Sequence, residues 1–88
     1  MAEMETTKEK LNVEIYGQHY TFRVEPDKKE AVASIAHHVD QMMHKAAAGQ
    51  KKLDYRDIAV LAAMNIAEEY YQLQQDYQAL IEMIDEEK

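Results

Sequence analysis

Two short segments near the start of the chain alternate apolar and polar residues with a period of two. Residues 11–16 run Leu-Asn-Val-Glu-Ile-Tyr and residues 20–25 run Tyr-Thr-Phe-Arg-Val-Glu, on either side of a break at Gly17-Gln18-His19. This alternation is typical of strands with one buried face, and the Gly-containing break predicts a β-hairpin over residues 11–25. Because an isolated hairpin is only marginally stable in water, its apolar face is expected to pack on another element.

The segment after the hairpin changes to helical spacing. Asp27 and Glu30, three residues apart, match a capping box and predict a helix start just after Pro26. Gly49 can end this helix in a left-handed conformation, so a helix is predicted over residues 27–48. Its apolar stripe, expected to face the hairpin, comprises Val32, Ile35, Ala36, Val39, Met42, Met43 and Ala46.

A long second helix is predicted over residues 54–88, which contain no Gly or Pro. Asp54 and Asp57 suit its first turn. Apolar residues then step alternately by four and three, the a/d spacing of a coiled coil. The predicted seam residues are Ala59, Ala63, Ile66, Tyr70, Leu73, Tyr77, Leu80 and Ile84. Such a helix is about 50 Å long, so it must project from a domain of this size.

The beginning of the second helix is apolar on every side, because Leu61 and Met64 lie away from the seam. A helix apolar all round is a buried one, so its first two turns are expected in a core shared between chains. Farther along, Ile81 and Met83 widen the seam at positions where a two-stranded zipper carries opposed charges. The pattern predicts a dimer or a dimer of dimers, with a three-stranded coil as the alternative.

These elements together predict an α+β fold with a head and a rod. The head covers residues 11–53 and combines the hairpin with the shorter helix, while residues 1–10 are expected to form a disordered tail. The chain has only 88 residues, of which 47% are apolar. A single domain this small is expected to complete its core with a partner or a copy of itself.

Charge and apolar runs exclude several classes of partner. The net charge is −7; residues 1–56 carry nine basic and nine acidic side chains, whereas residues 57–88 carry eight acids and only Lys88. An acidic rod repels phosphate backbones, which disfavours nucleic acid. The longest apolar run, residues 58–64, is far below the ~18 residues of a membrane span. With no Cys and no secretory signal, a cytoplasmic protein without membrane contact is predicted.

Candidate chemistry is sparse. With no Cys, a single Ser and no Gly-rich phosphate loop, the sequence predicts no catalytic residues, no cofactor and no enzyme. His37 and His44 lie two helical turns apart, too far for one zinc ion within a chain, so a surface role is favoured over a metal site for them and for His38. One basic cluster has two equally good explanations. It could simply be solvated at the helix end and connector, or it could dock an acidic protein. This cluster is Lys45, Lys51, Lys52 and Arg56.

Two stretches of the chain resemble the ZapA family of cell-division proteins, which are associated with the FtsZ ring. Val13-Glu-Ile-Tyr-Gly-Gln-His-Tyr20 is similar to the family's N-terminal hairpin. Leu53-Asp-Tyr-Arg-Asp-Ile-Ala-Val-Leu-Ala-Ala-Met-Asn-Ile-Ala-Glu-Glu-Tyr70 is similar to its second-helix core, where an Ala-Val-Leu-x-Ala-x-Asn run is characteristic. The likeness covers roughly residues 11–80 and is nearest to the shorter members of Gram-positive bacteria.

The resemblance implies a homodimer and, through paired coiled coils, a homotetramer at the mid-cell division site. Heads at both ends of such a rod would bind FtsZ and cross-link its protofilaments, which stabilises the Z-ring. The family binds FtsZ largely with charged residues near the hairpin turn and the connector between helices. The matching positions here are Gln18, His19, Lys45, Lys51, Lys52 and Arg56. From the residues alone, a generic coiled-coil adaptor for another cytoplasmic protein is the alternative interpretation.

Overall fold

The computed structural model describes residues 7–49 and 52–86 of the chain. A two-stranded antiparallel hairpin is followed by a shorter helix and then by a long C-terminal helix. This order confirms the predicted α+β fold. The elements are strand β1 (Glu9–Ile15), strand β2 (Gln18–Val24), a 3-10 turn (Pro26–Lys28), helix α1 (Lys29–Ala47) and helix α2 (Tyr55–Glu86).

The hairpin places its apolar residues on one face, as the alternation predicts. Leu11 pairs with Phe22, and Val13 pairs with Tyr20. β1 is the strand that lies along α1, so Leu11, Val13 and Ile15 are half-buried. β2 forms the outer edge, where Tyr20 and Phe22 stay 40% and 42% exposed.

The hairpin turn lies one residue earlier than the predicted break. Tyr16 and Gly17 form it, with φ of 49° and 80°, the positive values that a type I′ turn requires at both central positions. Gln18 and His19 therefore belong to β2 and pair with the end of β1. The break was misplaced because a residue other than Gly at positive φ is uncommon, and Tyr16 gives no local sign of it.

β1 begins two residues before the predicted hairpin. Glu9 and Lys10 complete the ladder opposite Val24 and Arg23, although neither fits the apolar pattern that set the predicted boundary at residue 11. Residues 9 and 10, which were predicted to belong to a disordered tail over residues 1–10, are therefore part of β1. Residues 1–6 lie outside the described part of the chain.

The helix cap predicted at Asp27 is wrong. Asp27 lies inside the 3-10 turn, which the Lys28 N–H closes by donating to the Glu25 carbonyl at 2.8 Å. Proline suits the first turn of such a helix, where no N–H is needed. α1 then starts without a side-chain cap, so the capping box between Asp27 and Glu30 does not form.

Both ends of the connector between the helices follow the sequence-based expectation. Gly49, just past the end of α1, has a left-handed φ of 78°. At the other end, the Asp54 Oδ1 accepts the N–H of Asp57 at 2.8 Å. This bond makes Asp54 the N-cap of α2, where it satisfies a backbone donor that the helix itself leaves unpaired.

The core of the head lies between the two helices. Met42 and Met43 of α1 contact Ile58 and Ala62 of α2 in one buried cluster. The described chain is only 15 Å thick in its thinnest direction, little more than one helix diameter. Beyond Ile66, every side chain described through residue 85 is exposed. The second half of α2 therefore projects from the head as a rod.

Candidate docking surface and oligomer seam

The hairpin turn is fastened to the C-terminal part of α1. The Tyr16 N–H donates to the Asp40 Oδ1 at 2.7 Å. His44 Nδ1 lies 3.5 Å from the same Asp40 oxygen and 2.9 Å from the Asp40 carbonyl oxygen. The Tyr16 ring meets the His44 ring edge-on, with 4.8 Å between centroids. The turn therefore lies at the end of α1 where the connector begins.

The first residue of α2 reaches the same place. The Tyr55 ring is 5.8 Å from the Tyr16 ring, and the Tyr55 hydroxyl donates to the Ile15 carbonyl at 3.4 Å. The hydroxyls of Tyr55 and Tyr20 are 3.1 Å apart. That hydrogen bond, followed by burial and by the charge of Tyr20, raises the pKa of Tyr55 above its ordinary value. The turn, α1 and α2 thus converge at one end of the head.

The residues that the sequence predicts to bind a partner gather at this end. Two of them directly follow the hairpin turn, and the others flank the connector. The described ones, all exposed, are Gln18, His19, Lys45, Lys52 and Arg56; Lys51 lies outside the described residues. Among the described carboxylates, none forms an ion pair with Lys45, Lys52 or Arg56. Their charges can therefore interact with an acidic partner.

The three histidines of α1 have separate surroundings. His38 Nε2 lies 2.8 Å from Glu69 Oε1 and links α1 to the middle of α2. His44 faces Tyr16 and Asp40, and His37 is exposed. Over residues 7–49 and 52–86, no group of three His, Asp or Glu side chains is placed to hold a metal ion.

Two shallow apolar grooves lie between the hairpin and the helices. The first has a volume of 270 Å³ and is lined by Ile15, Phe22, Val32, Ile35, Ala36 and Val39. The second, of 230 Å³, shares Phe22 and extends over Tyr20 and Tyr55 to Ala59. Ile35 is 61% exposed, although helical periodicity placed it in the stripe that faces the hairpin. Helical periodicity identifies the apolar stripe of α1, but it does not predict which of its residues the other elements of the head cover.

The predicted oligomer seam runs from the core into the rod. Ala59 and Ile66 are half-buried against the core of their own chain, and Ala63 is exposed. The five seam residues of the rod are each more than half exposed: Tyr70, Leu73, Tyr77, Leu80 and Ile84. These five form a heptad-spaced apolar stripe that nothing in the described part of the chain covers.

The residues that fasten the turn were not predicted from the sequence. Tyr16 and Asp40 are 24 positions apart, and no local pattern marks a pair at that separation. One weak indication was available: Asp40 is an acidic residue between Val39 and Met42 of the apolar stripe.

An exposed basic end on a small head, joined to a rod with an uncovered heptad stripe, is typical of proteins that work by binding and assembly. A sequence model of the family described as "Cell division protein ZapA" matches residues 11–88. A protein of that name from Geobacillus kaustophilus is 38% identical over 81 residues, covering 92% of this chain and 88% of the relative. Another from a Geobacillus strain is 34% identical, covering 100% and 98%. The chain therefore belongs to the ZapA family of cell-division proteins.

Solved structures agree with this assignment. The chain is similar to a "ZapA mutant dimer from Geobacillus stearothermophilus", with a TM-score of 0.69, 35% identity and coverage of 97% of this chain and 98% of the other. An "unknown conserved bacterial protein" from Pseudomonas aeruginosa has a TM-score of 0.67 at 25% identity, covering 88% and 89%. Over the described residues, neither helix combines the length and hydropathy needed to cross a membrane.

Proposed function

We propose that this protein is a non-enzymatic regulator of cell division that binds FtsZ and cross-links its protofilaments. It would act in the cytoplasm at the mid-cell division site, where it promotes assembly and stability of the Z-ring. The observation that carries this proposal is the separation of two surfaces, a basic docking end on the head and an apolar seam on the rod. FtsZ as the partner rests on the resemblance to the ZapA family.

The seam supports a homodimer, and two dimers joined along their rods would form a homotetramer with docking ends far apart. Five apolar side chains of each rod are exposed in the single chain. Burying such side chains is the main favourable contribution to association, and it acts against the ~4–15 kcal/mol lost when chains associate. Two or more heads on one assembly can raise avidity for a filament by about 10²-fold or more.

A pelleting assay of purified FtsZ with GTP tests this function. With this protein present at matched ionic strength, more FtsZ should sediment, and this protein should sediment with it. Absence of co-pelleting at low salt and micromolar concentration would remove FtsZ as the partner. The family fold would stand, and the adaptor interpretation would replace the proposed function.

The basic docking end can be tested within the same assay. Reversing its charges with Lys45→Glu, Lys51→Glu, Lys52→Glu and Arg56→Glu should weaken co-pelleting at least tenfold, because an acidic partner would meet repulsion in place of attraction. A matched control reverses four exposed basic residues toward the open end of the hairpin, namely Lys8, Lys10, Arg23 and Lys28. Equal losses in both variants would show a dependence on net charge, and unchanged affinity in the first would reject this docking surface.

A further inference from the structure

The backbone of Tyr16 adopts a conformation that needs support from its surroundings. Its φ of 49° lies in the left-handed region, which residues other than Gly rarely occupy. Such conformations persist where the surrounding structure holds them, and they concentrate at functional sites. Tyr16 immediately precedes Gly17 and the candidate contact residues Gln18 and His19. The contacts that hold the Tyr16 backbone therefore also influence the position of Gln18 and His19.

Asp40 supplies that support from another element. Its Oδ1 accepts the Tyr16 N–H at 2.7 Å, and its side chain is 25% exposed, so the bond is partly shielded from water. The same residue holds His44 through its carbonyl oxygen at 2.9 Å, and the His44 ring in turn packs edge-on against Tyr16. Asp40 therefore contacts the turn both directly and through His44.

Asp40 lies outside the buried cluster of Met42, Met43, Ile58 and Ala62. The hairpin also keeps its own ladder of backbone pairs from Glu9↔Val24 to Ile15↔Gln18. Loss of the Asp40 bond thus leaves the core and the ladder in place. It removes the one described hydrogen bond between the backbone of the turn and α1, and the ring contacts of Tyr16 with His44 and Tyr55 do not replace that bond.

We propose that Asp40 is a positioning residue of the docking surface. By holding Tyr16 at the end of α1, it keeps Gln18 and His19 beside the basic residues of the connector, so that one partner surface can contact both groups together. The inference rests on the proposed function, because its consequence is measured as binding to FtsZ.

Two neutral substitutions separate the hydrogen bond from the charge. Asp40→Asn keeps an oxygen that can accept the Tyr16 N–H, whereas Asp40→Leu has similar size and no acceptor. Co-pelleting with FtsZ should stay within about twofold of wild type for Asp40→Asn and fall about tenfold for Asp40→Leu, because only Asp40→Leu loses the partly buried hydrogen bond to Tyr16 and the alignment that it gives the turn. Tyr16 amide exchange should accelerate in Asp40→Leu alone.

Controls distinguish a positioning role from general destabilisation. Binding is measured well below each thermal midpoint, with the assembly state checked by sedimentation velocity. Glu30→Leu makes the same chemical change at an exposed site near the start of α1 and should bind like wild type. If Asp40→Leu fails to fold, Asp40→Ala, which has no side-chain acceptor, replaces it with the same expectation.

The outcomes separate the two proposals. Equal binding by Asp40→Leu and Asp40→Asn, with both folded and assembled like wild type, would overturn the positioning role and leave FtsZ binding intact. Equal weakening of both would also overturn it, because the charge and not the bond would then matter. A wild-type protein that fails to co-pellet would overturn the proposed function itself, and this role with it.

Discussion

The head and the rod of this protein use apolar side chains in opposite ways. In the head, Met42 and Met43 of one helix are buried against Ile58 and Ala62 of the other within a single chain. In the rod, comparable side chains such as Leu73 are 67% exposed and have no described intrachain contact to bury them. Head residues thus stabilise the fold of one chain, while the rod stripe can lower free energy only by meeting another chain.

The largest effect is expected from a charge placed on the rod stripe. Leu73→Glu should weaken self-association by about 10²-fold or more, because each dimer loses two apolar side chains and buries two charges. Sedimentation velocity over a dilution series measures the effect. Leu73 is a cleaner probe than Ile66, which also packs against the core of its own chain.

The matched control for Leu73→Glu is Gln75→Glu, which places an acidic side chain at an exposed rod position that is not one of the predicted seam residues. It should associate like wild type. A Leu73→Glu protein that sediments like wild type at every concentration would place the seam elsewhere.

Truncating the head core should have a different kind of effect, on folding and not on association. Met43 is 3% exposed, so Met43→Ala should lower the free energy of unfolding by about 2–5 kcal/mol through lost burial and a cavity. Chemical denaturation monitored by circular dichroism measures this loss. The decrease should be similar at all protein concentrations, whereas destabilisation by Leu73→Glu should depend on concentration. Equal concentration dependence in both variants would contradict the division between head and rod.

The smallest expected effect is alkaline weakening of the head. The hydrogen bond with Tyr20 raises the pKa of Tyr55, which means that the folded state favours the neutral phenol. The contribution is therefore complete below the unfolded value near pH 10 and is lost as pH rises through the higher folded value. The thermal midpoint of wild type should slightly exceed that of Tyr55→Phe at about pH 8, and the gap should close towards pH 11. A gap that widens would contradict the sign.

Regular patterns predicted the parts of this fold that depend on local sequence. Alternation placed Leu11 and Phe22 on one hairpin face, and Asp54 caps α2 as its position suggested. Heptad spacing predicted the apolar stripe of the rod. Such features can be predicted locally, because the direction of a side chain follows from the period of its helix or strand.

The remaining features depend on contacts between distant residues. The 3-10 turn displaced the cap from Asp27, and the Tyr16 turn depends on Asp40, far along the chain. Helical spacing predicted the apolar stripe of α1, but not which of its residues are buried. Met43 is buried and Ile35 is exposed because of the position of α2. The basic cluster was a candidate from its charge, and Gln18 and His19 came from the family resemblance; geometry adds that the described residues of both sets share one end of the head.

Electron microscopy of FtsZ filaments formed with GTP tests the central claim most directly, because it separates binding from cross-linking. The wild-type protein should gather single filaments into pairs or bundles with a regular spacing, and Leu73→Glu should leave them single. Wild-type protein that coats single filaments without pairing them, or Leu73→Glu that bundles them equally well, would contradict a cross-linker assembled through the rod.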